Sequence, residues 1–186
     1  MKENIKKAAI NLFYKKGYFA TSMSNIALAT GIRKSSIYHH YATKEDILLD
    51  ILRTTMNDLQ DALQKRLAEA SGAEAKIKAV IHCHIDFHVQ RQKETIIADS
   101  ELRGLTAKNY KEIIQMRDDY EKHLQNVLEE SVAEGGFAAS DTKIISYAIL
   151  SMCTGVHTWF KKSGRLSKQA IADIYTEFIL KGLAKP

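Results

Sequence analysis

Proline is all but missing from this chain of 186 residues: the single one is Pro186, the last residue. No pyrrolidine ring therefore interrupts a helix in the interior. Cysteine is scarce too. Cys83 and Cys153 lie far apart in a chain without a secretory pattern, so both read as reduced thiols of a cytoplasmic protein. Residues 1–20 hold lysines but no continuous apolar run before a small-residue cleavage site, and a signal peptide is not expected. Long uncharged stretches are rare. Ile144 to Phe160 carries no Asp, Glu, Lys or Arg, yet its 17 residues include two serines, two threonines, a glycine and His157. That length sits at the bottom of the membrane-spanning range, so a helix buried in protein is expected and no membrane span. Also lacking are period-2 strand patterns, low-complexity segments, internal repeats, a Gly-rich phosphate loop, a nucleophile elbow and paired carboxylates in a recognisable setting. No catalytic residue and no cofactor is assigned, and an enzyme is not expected.

What is present is helix-forming. Leu, Ile, Ala, Lys and Glu are plentiful, which predicts an all-α protein with enough chain to bury a core. The charge is placed unevenly. Residues 1–47 carry eight Lys/Arg against three acids, a surplus of five, whereas the remaining 139 residues balance at 19 of each. The whole net charge of +5 thus comes from the first quarter, where clustered cations suit a phosphate backbone through counterion release.

Apolar spacing divides that quarter into three short helices. Ile5, Ala9, Leu12 and Phe13 share a face that ends at Gly17. Ser22 is placed to cap a second helix carrying Met23, Ile26, Ala27 and Ala29, which Gly31 closes. "IRKSSIYHHYATKED" follows, with Ile37 and Tyr41 spaced to anchor a third. Two short helices across a tight Gly turn describe a helix-turn-helix unit. Thr43 should cap a long fourth helix with Asp46 three residues on. Its stripe of Leu48, Leu52, Leu59, Leu63 and Leu67 runs toward Ala70, and Gly72 breaks it. Further helices are predicted at 75–91, around 94–105, at 108–133 behind Thr106, at 141–161 behind Ser140, and at 168–183 behind Ser167.

Thr21-Ser22-Met23, Ile26-Ala27, Gly31 and "SSIYHHYATKEDIL" resemble the DNA-binding domain of the tetracycline-repressor (TetR) family of bacterial transcription regulators. The resemblance covers about residues 5–52. It implies an all-α homodimer with a three-helix DNA-binding head, residues 1–46, and a six-helix body, residues 47–186, holding a small-molecule pocket and the dimer interface. Repression is that family's usual mode. A recognition helix in the major groove needs short polar or basic side chains at its N-terminal end, and Arg33, Lys34, Ser35 and Ser36 supply them. Tyr38, with His39 and His40, comes one turn later, in reach of phosphate or a base edge. Lys44 fits the family's phosphate-contacting lysine, and Thr21 and Ser22 can add hydroxyl or backbone N–H contacts. Two positions depart from the pattern: many members have Ser at position 33 and Gly at 35, where this chain has Arg33 and Ser35. The helix cap is weaker there, but the longer side chain is better placed to read guanine or grip phosphate.

In the body, "DSELRGL", "IIQMRDDYEKHL" and "WFKKSGRLS" resemble a branch that senses acyl-CoA thioesters and related lipid-derived effectors. On that resemblance Arg103, Arg117, Tyr120 and Trp159 are effector contacts, with His84 and Phe87 beside them. The arginines can hold phosphate or carbonyl oxygen, and the indole can stack on adenine or line an acyl tunnel. Purely structural roles stand as alternatives: Arg117–Asp118 and Arg103–Glu101 ion pairs, and Trp159 as core or dimer packing. A drug- or free-fatty-acid-responsive repressor is a further alternative. So is a metal sensor using His84 and His88, near His82 and Cys83, although no acidic ligand shares their face and no metal ligand is assigned. The last two helices are expected to pair across the dimer in a four-helix bundle. Ala148, Ser151 and Gly155 allow close approach, while Ile171, Ile174, Tyr175 and Phe178 supply an apolar stripe.

Overall fold

The computed structural model describes residues 1–138 and 141–184. Among these the chain forms nine α-helices, one 3-10 turn and no strand: α1 Lys2–Lys16, α2 Met23–Thr30, α3 Lys34–Tyr38, α4 Lys44–Glu69, α5 Ala73–Gln90, α6 Gln92–Ser100, the 3-10 turn Leu102–Gly104, α7 Ala107–Ala133, α8 Thr142–Trp159 and α9 Lys168–Leu183. No helix is long and apolar enough to cross a membrane among the described residues.

Local chemistry sets most of these boundaries. The Ser22 hydroxyl accepts the N–H of Asn25 at 3.1 Å, and the Asn25 side chain accepts the N–H of Ser22 at 2.9 Å, a reciprocal cap on α2. Gly31, at φ 67°, takes the left-handed conformation that closes α2 and turns the chain into α3. Thr43 and Asp46 cap α4 in the same reciprocal way, at 2.8 and 3.1 Å. Ser167 caps α9 as expected. The expected cap Ser140 lies outside the described residues; Asp141 accepts the N–H of Ile144 at 3.0 Å, and α8 opens at Thr142 instead of 141. α8 also stops at Trp159, two residues early, because Phe160 is extended. The segment predicted as one helix over 94–105 divides into α6 and the 3-10 turn at Glu101.

The chain packs as two compact units. The first joins Met1–Asn57 to Lys93–Gln115. Its core holds Ile5, Phe13, Ile26, Ile37, Ile47, Leu48, Ile51 and Leu52, each at most 2 % exposed. The 3-10 turn is seated tightly there: a Cβ added at Gly104 would lie 2.6 Å from the Tyr18 ring and 3.0 Å from Leu48, so only glycine fits. The second unit joins Asp58–Gln92 to Met116–Pro186, and in it α5 packs against α8 and α9 around Ile77, Ile81, Ile85, Leu124, Leu128, Cys153 and Val156. α4 and α7 each run unbroken through both units.

Candidate nucleic-acid interface and effector site

α3 has a division of labour along five residues. Ile37 is fully buried and Tyr41, just beyond the helix, nearly so, which pins the helix by one edge. Arg33, Lys34, Ser35, Tyr38, His39 and His40 are exposed, and Ser36 is half-buried. Arg33 occupies the cap position without a side-chain bond, so its guanidinium is left to reach outward. The Lys34 ammonium lies 5.9 Å from the Tyr38 ring centre, keeping the phenol and the cation side by side on the exposed edge.

The other residues expected at DNA have work inside the head. Thr21 is 1 % exposed; its hydroxyl donates to Gly17 O at 2.9 Å and its N–H to Tyr18 O at 3.1 Å. Both donors are spent on the turn between α1 and α2, so neither is available to phosphate as expected. The Ser22 side chain is exposed but engaged in its capping box. Lys44 is half-buried, donates at 2.7 Å to both Tyr18 O and Thr21 O, and sits 4.1 Å from the Tyr18 ring centre. Burial lowers its pKa, while Glu101 opposes that shift. One ammonium thus closes the α1–α2 turn, with a single N–H left over for a partner outside the chain. Lys44→Ala is accordingly expected to destabilise the fold by about 1–3 kcal/mol as well as to flatten the salt dependence of DNA binding by about one charge per subunit. Urea titration and affinity at several salt concentrations check this; an unchanged unfolding midpoint would show that the turn does not depend on the ammonium.

In the second unit, α5, α7 and α8 bring a polar cluster into the core. His84 and His88, one turn apart, stack with ring centres 4.0 Å apart, and His157 lies 5.8 Å from His88. His84 Nδ1 meets the Tyr120 hydroxyl at 3.1 Å and its Nε2 meets the Thr154 hydroxyl at 2.7 Å. His88 Nδ1 donates to His84 O at 2.8 Å. Burial drives the His84 pKa well below its ordinary value, helped by the like charges His88 and His157 would carry, and takes His88 down to about 4. His84 and His88 are therefore neutral at neutral pH. Burial likewise pushes Tyr120 up, Cys83 to about 11 and Cys153 to about 12, so these groups stay protonated. Both His84 nitrogens are hydrogen-bonded, and no group of three His, Cys, Asp or Glu among the described residues stands where it can hold a metal ion.

Of the expected effector residues, Tyr120 and His84 meet directly, Phe87 lies edge-on to His88 with ring centres 6.3 Å apart, and Arg117 is close enough to lower the His88 pKa. Trp159 is 52 % exposed at the end of α8, which rules out core packing within one copy of the chain. It lines a cleft of about 310 Å³ with Phe160, Lys161, Gly164, Arg165, Leu166 and Ile171. Arg103 belongs to the first unit, its guanidinium 5.4 Å from the Phe19 ring centre. Sequence reasoning did not single out Thr154, whose hydroxyl completes the His84 environment; its spacing carries no signal, since only the packing of α8 on α5 brings it there.

Known proteins share this architecture. Residues 5–51 match the model for bacterial regulatory proteins of the tetR family, and residues 70–183 match that for tetracyclin repressor-like C-terminal domains. The HTH-type transcriptional repressor KstR2 of Rhodococcus jostii is 26% identical over 180 residues, covering 96% of this chain and 88% of that protein. The TetR family transcriptional regulator PfmR of Thermus thermophilus superimposes with a TM-score of 0.88 at 29% identity, over 97% of this chain and 99% of that one. AibR, in its crystal structure with isovaleryl coenzyme A and operator DNA, gives a TM-score of 0.87 at 26% identity, over 95% and 96%.

Proposed function

From the premise that this chain belongs to the tetracycline-repressor family of bacterial regulatory proteins, we propose that it is a homodimeric repressor released from its operator by an acyl-CoA. Residues 1–46 form the DNA-binding head and residues 47–186 the effector-binding and dimerising body. The observation that carries the DNA reading is α3: a helix pinned by one buried isoleucine and presenting Arg33, Lys34, Ser35 and Tyr38 outward, in the segment that holds all of the chain's net charge. Arg33 reads base edges, while Lys34, the serines, Tyr38 and His39 position the helix on phosphate.

The effector reading rests on the second unit. Its core cluster of Tyr120, His84 and Thr154 is polar but uncharged, which suits a carbonyl or hydroxyl group of a largely apolar ligand more than a buried carboxylate. Arg117 and the Trp159 cleft, with Lys161 and Arg165, supply cations and an aromatic face for an anionic, nucleotide-bearing portion. The relative AibR was crystallised with isovaleryl coenzyme A, a molecule of that description. The head is released when the ligand favours a head spacing that no longer matches the groove repeat, a preference of about 1–3 kcal/mol being enough for a 5- to 150-fold change.

The test is a titration of acyl-CoAs of several chain lengths, and of the matching free acids, into a complex of the protein with a DNA duplex that it selects from a random pool. Thioesters are expected to release the DNA at lower concentration than the acids. Equal potency of the free acids would remove the CoA recognition and with it the roles given to Arg117 and Trp159. Failure of the protein to select any sequence would overturn the repressor reading itself.

A further inference from the structure

Three consecutive charges open α4, and each is tied to a different element. Lys44 closes the α1–α2 turn, and Asp46 caps α4 itself. Glu45, between them, leaves its own helix. Its Oε1 accepts the Thr106 N–H at 2.8 Å, the Thr106 hydroxyl at 2.9 Å and the Asn109 amide at 2.6 Å. Thr106 immediately precedes α7, so the carboxylate of Glu45 serves as that helix's N-terminal cap, supplied from 61 residues away. The Thr106 N–H bond first, and the Asn109 and Thr106 side-chain bonds with it, outweigh the effect of burial and hold the Glu45 carboxyl below the usual range, so it is ionised at neutral pH.

The cap lies in a short chain of connections. Glu45 is separated by Lys44, Thr43 and Ala42 from Tyr41, whose buried ring helps pin α3. On the other side α7 runs continuously to Ala133 and carries Arg117 and Tyr120. Thr106 and Tyr120 are 14 positions apart, roughly 20 Å along a helix rising 1.5 Å per residue. Among the neighbouring ties, Gly104 fits by shape against Tyr18 and Leu48, Arg103 lies over Phe19, Glu101 acts on Lys44 through charge, and Arg53 of α4 pairs with Glu112 in the second turn of α7. The Glu45 cap joins a recognition-helix neighbour to the first turn of α7 through charge-assisted bonds, which are directional and break over a few tenths of an ångström.

We propose that Glu45 is a positioning residue for effector response: its carboxylate registers the N-terminus of α7 against the DNA-binding head, and this cap is the link through which ligand occupancy alters operator affinity. The inference rests on the effector-responsive reading above for its physiological meaning, but the link itself can be read without any effector. Linkage is reciprocal, so DNA binding must in turn tighten the first turn of α7.

Hydrogen exchange at residues 106–112 tests this in the full chain, free and bound to the self-selected duplex. DNA is expected to slow exchange there about tenfold in the natural chain. The slowing should vanish in Glu45→Ala and be intermediate in Glu45→Gln, which keeps an acceptor oxygen without the charge. The pair Thr106→Val with Asn109→Ala removes two of the three bonds from the α7 side and should behave like Glu45→Ala, so a poorly folding Glu45→Ala does not end the test. In parallel, half-release by isovaleryl-CoA and palmitoyl-CoA should require about tenfold more ligand in these variants, with DNA affinity in the absence of ligand lowered by no more than the factor of about ten that the same linkage sets. DNA-dependent slowing that persists in the variants overturns the proposal. If no acyl-CoA releases the natural chain while the exchange pattern behaves as expected, the link stands and the acyl-CoA reading falls.

Discussion

Replacing Ile174 and Phe178 together by glutamate is expected to leave a folded monomer that has lost about 100-fold or more of its operator affinity. Both side chains lie on α9, where they are 51 % and 68 % exposed although Ile171, Ala172, Thr176 and Ile179 on the same helix are buried. α8 shows the same division, with Ile149, Cys153 and Val156 inside and Ile144, Tyr147 and Met152 outside. Two helices of one unit therefore each turn apolar side chains outward, as the expected dimer interface requires. Ala148 and Ser151 are exposed between those residues, small enough to let a second pair of helices approach. Because neither Ile174 nor Phe178 supports its own subunit's core, charging them should cost little folding stability. The loss in DNA binding follows from separating two heads: the second half-site contact ceases to be intramolecular, and an effective concentration worth a factor of about 10²–10⁴ disappears. Light scattering at micromolar concentration and anisotropy with the selected duplex measure both effects. A natural chain that is monomeric, or a double variant that remains dimeric with unaltered affinity, contradicts the four-helix interface.

Acidification from pH 6.5 toward 5 is expected to destabilise the protein before its carboxylates begin to protonate. An unfolded histidine takes up a proton near pH 6.5, whereas His88 in the fold does so only at about 4 and His84 well below its ordinary value, burial being the first cause in each. Above pH 6.5 both states are neutral and there is no penalty. As the pH falls, the unfolded chain binds protons that the folded chain refuses, and stability drops until the folded pKa is reached. For His88 alone that amounts to about 3 kcal/mol by pH 4, at up to about 1.4 kcal/mol per pH unit, and His84 adds in the same direction. His82 is also lowered by burial, against the pull of Asp173, and contributes with the same sign. Urea unfolding at pH 7.5, 6.5, 5.5 and 5 measures the slope. His88→Gln, which keeps a donor toward His84 O but cannot titrate in this range, should reduce it by close to one proton. A stability that is flat or rises between pH 6.5 and 5 would mean the cluster is hydrated and charged, and the neutral polar lining proposed for the effector would fall with it.

Residues 1–69 show how far a one-dimensional pattern reaches. Ser22, Gly31 and the pair Thr43–Asp46 act within one helical turn and are found where the spacing put them, and of the expected stripe Leu48, Leu52, Leu59 and Leu63 are buried while Leu67 is half-buried. The all-α class and the outward face of α3 were legible for the same reason: helix periodicity and capping depend on neighbours three or four positions away. Lys44 and Thr21 were less legible. Both look like surface donors in sequence, yet their donors turn inward to Tyr18 O, Thr21 O and Gly17 O, because a turn with open carbonyls has to be satisfied by whatever donors lie closest.

The body divides in the same way. Its helices α5, α7, α8 and α9 follow from apolar spacing and from caps such as Ser167, and the sequence alone determined them to within a few residues. The assembly of His84, Tyr120 and Thr154 did not follow, since these residues stand 36 and 70 positions apart and meet only because α5, α7 and α8 pack their faces together. The same holds for the attachment of residues 93–115 to the first unit and for Glu45 reaching Thr106 and Asn109. Sequence determined what each helix is and where it ends, because propensity, period and capping are local. Tertiary structure decided which charges are spent inside and which polar groups meet in the core, because desolvation and hydrogen-bond satisfaction depend on neighbours that the order of residues does not name.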